Sequence, residues 1–324
     1  MRLKSALRRG VAAAVIAGIV VSSGIPAYAA RWDIANGDIT VKAGDAEGKN
    51  KVSQGETIDK DDTNTVITGE SDKNTVTIDT SKGNVDVTFD DLKIDVSGKK
   101  EGDGSDDSPV RESKAAVTVK GDHDAAIELD GDNELKSGGY NAGLEKNEHE
   151  SKGTLTIKDD KGKDGSLTAE GGFGGAGIGG GIESTGSNIT IRGGTIEAVG
   201  GSNAAGIGDG AGAWSEIDPD APPSNPNHII ISGDAEVEAK AGASTGGKTA
   251  AIGGGIVGEI PNDALSDDDH KVTGGSLTRY DPDGKKMEDY SYDRRTPSQP
   301  EQPDKPEQPD KPEQPDKPEQ PDKP

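Results

Sequence analysis

The stretch that decides the fold runs from Gly165 to Gly210 and reads GSLTAEGGFGGAGIGGGIESTGSNITIRGGTIEAVGGSNAAGIGDG. It contains two near copies of one unit. Ser166-Leu-Thr-Ala-Glu-Gly-Gly leads to Ala176-Gly-Ile-Gly, and Thr195-Ile-Glu-Ala-Val-Gly-Gly leads to Ala205-Gly-Ile-Gly, 29 residues further on. Weaker copies flank the pair. Gly138-Gly-Tyr-Asn-Ala142-Gly-Leu-Glu precedes it, and Ala235-Glu-Val-Glu-Ala-Lys-Ala-Gly with Ala250-Ala-Ile-Gly follows. Spacings of 34, 29 and 45 residues between related units indicate a repeat protein with loop insertions.

Within a unit, Ile189, Ile191, Ile196 and Ala198 alternate with Thr190, Arg192, Thr195 and Glu197. Such alternation describes short strands with one buried face. Gly193-Gly194 and Gly200-Gly201 interrupt them, since glycine turns without steric cost. The Ala-Gly-Ile-Gly piece adds one small and one branched inward residue. Three short runs separated by glycine turns suit one triangular coil of a parallel β-helix, and stacking buries ladders that a single coil leaves open. A flexible glycine-rich linker is the alternative, but a linker has no reason to keep Ile at the same place in each copy. The expected fold is therefore all-β: a right-handed parallel β-helix followed by a disordered Pro-rich tail.

Working outward, residues 1–29 read as a secretory signal peptide. Arg2, Lys4, Arg8 and Arg9 form the basic region, Val11 to Val21 the apolar region, and Ala27-Tyr-Ala29 the cleavage site. The apolar core is short for a membrane span, and no other stretch approaches one. The expected product is secreted, extracellular or wall-associated, and monomeric. Its loss changes the net charge from −24 to −28, because the segment carries four basic residues and no acidic ones. So acidic a chain is a poor partner for nucleic acid. The absence of cysteine excludes a disulfide framework, which leaves stacking or bound cations to stabilise it.

Leu, Ile, Val and Phe make up fewer than one residue in five, a level at which disorder becomes the default expectation. Those residues are concentrated in alternating runs, however, and a narrow coil needs few large side chains. Trp32-Asp-Ile34, Ile39-Thr-Val41, Thr65-Val-Ile67, Val76-Thr-Ile78, Val85 to Phe89, Leu92 to Val96, Val117-Thr-Val119 and Ile127-Glu-Leu129 continue the plan toward the amino end. Trp32 is expected to cap the first coil. Lys99 to Ser113 and the proline-bearing Gly210 to Asn227 read as loops inserted between strands. The β-helix domain is placed at 30–280. Residues 281–324 form a tail in which Pro-Glu-Gln-Pro-Asp-Lys recurs, a composition suited to solvated polyproline II.

Trp32-Asp-Ile-Ala-Asn-Gly-Asp-Ile-Thr-Val, Ile127-Glu-Leu-Asp-Gly-Asp-Asn-Glu-Leu-Lys-Ser-Gly, Gly153-Thr-Leu-Thr-Ile-Lys-Asp-Asp and the Ala-Gly-Ile-Gly units resemble a family. It comprises secreted Gram-positive proteins described as carbohydrate-binding-domain-containing, with right-handed β-helix folds. The similarity covers roughly residues 31–280. More distantly, the chain is similar to β-helix proteins that bind cellulose and pectin-type polysaccharides. The tail is similar to wall-spanning segments that precede a sortase signal, but no LPxTG-type motif follows it here. The resemblance implies a non-catalytic protein that binds polysaccharide or cell-wall glycan. A structural spacer or adhesin is the alternative, and a pectin-active lyase or hydrolase stands behind both.

Sugar rings stack on exposed aromatic rings, which are scarce here. Trp214, in a Gly/Pro loop, is the first candidate platform. Tyr140 and Phe173 each follow a Gly-Gly pair and read as equivalent positions that could form an edge ladder; packing is the plainer role for both. For a cation, Asp103, Asp106 and Asp107 share one loop and offer oxygen ligands suited to calcium, although each such cluster also reads as ordinary turn aspartates. The four histidines lack zinc-ligand spacing, and the glycine runs lack the Gly-Lys-Ser/Thr ending of a phosphate loop. No catalytic residues are assigned.

Overall fold

Runs that alternate apolar and polar residues over three to five positions bury one face only against a neighbour, and here each neighbour is the next copy of the run. The computed structural model describes residues 30–98, 113–213, 229–244, 249–257, 260–261 and 270–287. Residues 1–29, the repeated tail, and the segments carrying Asp103 and Trp214 lie outside these residues.

The chain winds into a parallel β-helix. On a first side, Arg31–Asp33, Thr65–Ser71, Val85–Asp95, Ala125–Asp130, Leu155–Lys158, Ile189–Ile191, Ile229–Ile231 and His270–Val272 stack in parallel. Asp132–Lys136, Ser166–Glu170, Thr195–Val199, Glu236–Lys240 and Ser276–Tyr280 form the second side. The two sides belong to one bent sheet. Val85–Asp95 pairs through its first half with Ala125–Asp130 and through its second half with Asp132–Lys136. The third side comprises Ile39–Ala43, Val76–Asp79, Val117–Lys120, Leu144–Glu145, Ile178–Gly179, Ile207–Gly208 and Ile252–Gly253. Among the described residues this makes eight turns, the first and the last represented by two sides each.

The core consists of ladders. Val87, Ile127, Ile157, Ile191, Ile231 and Val272 stand in register on the first side. Ile39, Val76, Val117, Leu144, Ile178, Ile207 and Ile252 do the same on the third. On the second side, Leu135 gives way to Ala169, Ala198 and Ala239, small residues that leave room for the opposing Ile ladders. All of these are buried. Each fully buried Ile or Leu contributes roughly 1.5–3 kcal/mol before chain entropy is counted. About five aliphatic positions per coil, such as Leu155, Ile157, Leu167, Ala169 and Ile178, thus suffice where composition suggested disorder.

The amino end differs from expectation. Asn50–Gln54 and Thr57–Asp62 form a hairpin that pairs antiparallel with Ile39–Ala43 and so covers the free edge of the third side. An open edge is a template for unwanted pairing, and the hairpin moves that edge to the charge-rich strand Thr57–Asp62. Its second strand is largely exposed, with Ile58 facing solvent, so it lacks the alternation that marks the other strands. Trp32 lies buried in the first coil as expected. Its indole Nε1 donates to Asp62 Oδ2 at 2.8 Å, which ties the hairpin down.

Ile207 and Gly208 form a short strand of the third side. The close approach of coils around Gly206 follows directly. A Cβ there would meet Ala251 O and Lys240 N, both at 2.7 Å.

Candidate functional site

The corner between the second and third sides carries the Gly-Gly pairs, and its construction explains them. A Cβ on Gly172 would fall on the carbonyl oxygen of Gly138, one on Gly201 on that of Gly172, and one on Gly242 on that of Gly201. Each coil lies so close to the one before it that only hydrogen fits. The corner therefore presents a floor of bare backbone, stitched by Gly172 N to Asn141 O at 3.0 Å, Gly201 N to Gly175 O at 2.8 Å and Gly242 N to Ala204 O at 3.0 Å.

Two aromatic rings stand beside this floor. Tyr140 is 54% exposed and Phe173 58%, so neither packs into the core. Their centroids are 6.0 Å apart at an interplanar angle of 89°, an edge-to-face pair. They do not occupy equivalent positions, contrary to the expectation from their Gly-Gly neighbours. Lys136 pairs with Glu170 and Leu144 with Ile178, an offset of 34 residues on both sides of the corner. Tyr140 is thus the counterpart of Gly174, and Phe173 of Gly139. The backbone agrees: Tyr140, Gly174 and Asn203 share positive φ of 72°, 77° and 64°. A large side chain at such a position costs on the order of 1–3 kcal/mol. The residue of slip lets the rings meet edge to face instead of stacking directly.

A groove of about 470 Å³ runs along this corner, with Phe173 on one wall, glycines 171, 172, 200 and 201 beneath, and Lys136 and Glu170 at its rim. Lys136 also lines a second groove of about 490 Å³ on the outer surface of the second side. Sequence reasoning missed both, because their walls come from coils far apart in the chain.

Beneath Tyr140 lies a polar network that sequence reasoning also missed. The Ala142 amide donates to Glu145 Oε2 at 3.1 Å, and Asn147 Nδ2 donates to Oε1 at 3.3 Å. Asn147 Oδ1 accepts from the Gly181 amide at 2.9 Å, while the Ile182 amide donates to Tyr140 O at 2.8 Å. Glu145 is buried, which pushes its carboxyl up to about 7 against the pull of the Ala142 amide. Lys146 is fully buried and lowered to about 8 by the same desolvation. Its Nζ donates to Ser151 O and Ser187 O, both at 2.9 Å. One signal was available in the sequence. Where other copies place Gly179, Gly208 and Gly253, all at positive φ, this copy has Glu145.

Trp214 and the aspartates Asp103, Asp106 and Asp107 lie outside the described residues. Among the described residues, no group of three or more acidic or histidine side chains is placed to hold a metal ion. No helix among them is long and apolar enough to cross a membrane. Fold and corner together define a parallel β-helix with an aromatic-flanked, glycine-floored surface groove. Comparison with protein-family models, curated proteins and solved structures finds no match to this chain.

Proposed function

We propose that this β-helix is a secreted, non-catalytic module that binds polysaccharide along the Tyr140–Phe173 corner. The observation that carries the reading is the exposed edge-to-face pair beside a groove floored by backbone. Pyranose rings offer C–H faces to aromatic rings and hydroxyls to peptide groups, and such a corner supplies both. The left-handed conformation of Tyr140 supports a role in binding, since glycine would fill that position without strain. Glu145 has a raised pKa, as catalytic acids do, yet its oxygens accept from the Ala142 amide and Asn147 Nδ2, and it does not line the groove. Export through residues 1–29 belongs to the same proposal. So does a calcium contribution through Asp103, Asp106 and Asp107.

The test is a glycan array probed with the chain lacking residues 1–29, with and without calcium, beside the Phe173→Ala variant. The expected result is retention of linear glycans that Phe173→Ala weakens. Retention of none would leave the spacer or adhesin reading, which the eight stacked turns favour through their rod-like continuity.

A further inference from the structure

The outer surface of the second side carries its charges in columns. Glu70, Lys93 and Glu134 stand in register on successive coils, as do Asp95, Lys136 and Glu170. Each lysine is therefore flanked by a carboxylate on the coil before and another on the coil after. Lys136 is ion-paired with Glu134, and that bond, reinforced by Glu170 and Asp95, holds its ammonium above the ordinary lysine value. Glu70, Lys93, Glu134, Asp95 and Lys136 line the second groove together with exposed Asp72, Glu170 lines the corner groove, and the two grooves meet at Lys136. Lys136 is ion-paired within the protein, and Lys93 stands between two carboxylates in register. The four carboxylates lining the second groove outnumber its two lysines, so the surplus charge offered to a ligand is negative.

Resting on the glycan-binding reading above, we propose that the ligand is a linear glycan bearing free, protonated amino groups, such as a β-linked glucosamine polymer. Three features of the molecule argue for this class. The columns run along the solenoid axis with a rise of about 4.8 Å per coil, comparable to the length of one sugar ring in an extended chain. Ammonium groups meeting carboxylates form charge-assisted hydrogen bonds, stronger than those made by a neutral hydroxyl. A sugar ammonium near the Phe173 or Tyr140 ring also gains from the ring quadrupole. A polyuronate meets the opposite situation: its carboxylates face columns in which carboxylates outnumber lysines, on a chain of net charge −24.

The experiment measures binding of the chain lacking residues 1–29 to three oligomers of equal length at mildly acidic pH and low salt. They are a glucosamine oligomer, its fully N-acetylated counterpart and a galacturonate oligomer. The expected result is at least about tenfold tighter binding of the free-amine oligomer than of the N-acetylated one. Added sodium chloride should shrink that advantage, and Glu70→Gln with Glu134→Gln should narrow it. Equal affinity for the first two oligomers overturns the amine inference and leaves glycan binding standing. Preference for the galacturonate oligomer also overturns it. Failure of all three to bind overturns the glycan reading and this inference together.

Discussion

The backbone amide of Tyr140 donates to the carbonyl oxygen of Phe173 at 2.7 Å, so the two exposed aromatic residues are joined by a hydrogen bond between coils although their positions in the coil differ by one. That bond fixes the turn that holds Tyr140 at φ 72°. Ring placement and backbone strain are thus one feature, and both can be probed at the same residue.

At position 140, Gly and Ala each remove the ring, but only Gly suits positive φ. Tyr140→Gly should be more stable than Tyr140→Ala by about 1 kcal/mol, while both bind glycan more weakly than the parent. Urea unfolding midpoints decide the first part. If the Ala variant is the more stable, the left-handed turn is misassigned.

Two glycines of similar sequence context should respond oppositely. Gly206→Val places a side chain against Ala251 O and Lys240 N and should cost about 1–3 kcal/mol through overpacking. Gly139→Ala meets nothing within 4 Å and should stay within about 0.5 kcal/mol of the parent. Coincident unfolding midpoints for Gly206→Val and the parent contradict the stacking of these coils.

Stability should pass through a trough near pH 7–8. Glu145 is raised from 4.5 to about 7, so the folded state holds its proton longer. Its favourable contribution is full below the unfolded value and is lost as pH rises from there to about 7. Lys146 is lowered from 10.5 to about 8, so the folded state releases its proton sooner, and stability recovers as pH rises from about 8 toward 10.5. Each limb is worth at most a few kcal/mol. Glu145→Gln should flatten the acid limb and Lys146→Met the alkaline one, as followed by urea unfolding across that range. Unchanged slopes in the variants would assign the pH dependence to other groups.

Calcium at millimolar concentration should raise the melting temperature more than sodium chloride of equal ionic strength, since only chelation adds to screening. Replacing Asp103, Asp106 and Asp107 by Asn should abolish the difference. Equal effects of the two salts would make these aspartates ordinary turn residues.

The coil itself was legible in the sequence because its determinants are local and repeated. Alternation marks Ile189–Ile191 and Thr195–Val199 as half-buried strands, and recurrence of Ala-Gly-Ile-Gly aligns Leu144, Ile178, Ile207 and Ile252, the residues that stack. The hairpin at 50–62 escaped notice because one of its strands is largely exposed and carries no alternation. Counting from the Gly-Gly pairs put Tyr140 and Phe173 in one position, but inter-coil hydrogen bonds set the register from Lys136–Glu170 and Leu144–Ile178 and displace the rings by one residue. Sequence alone determined that this chain coils and which apolar residues line the inside. Tertiary structure decided which outward residues become neighbours. Glu70, Lys93 and Glu134 are separated by 23 and 41 residues, and only the lengths of the intervening turns and loops bring them into one column.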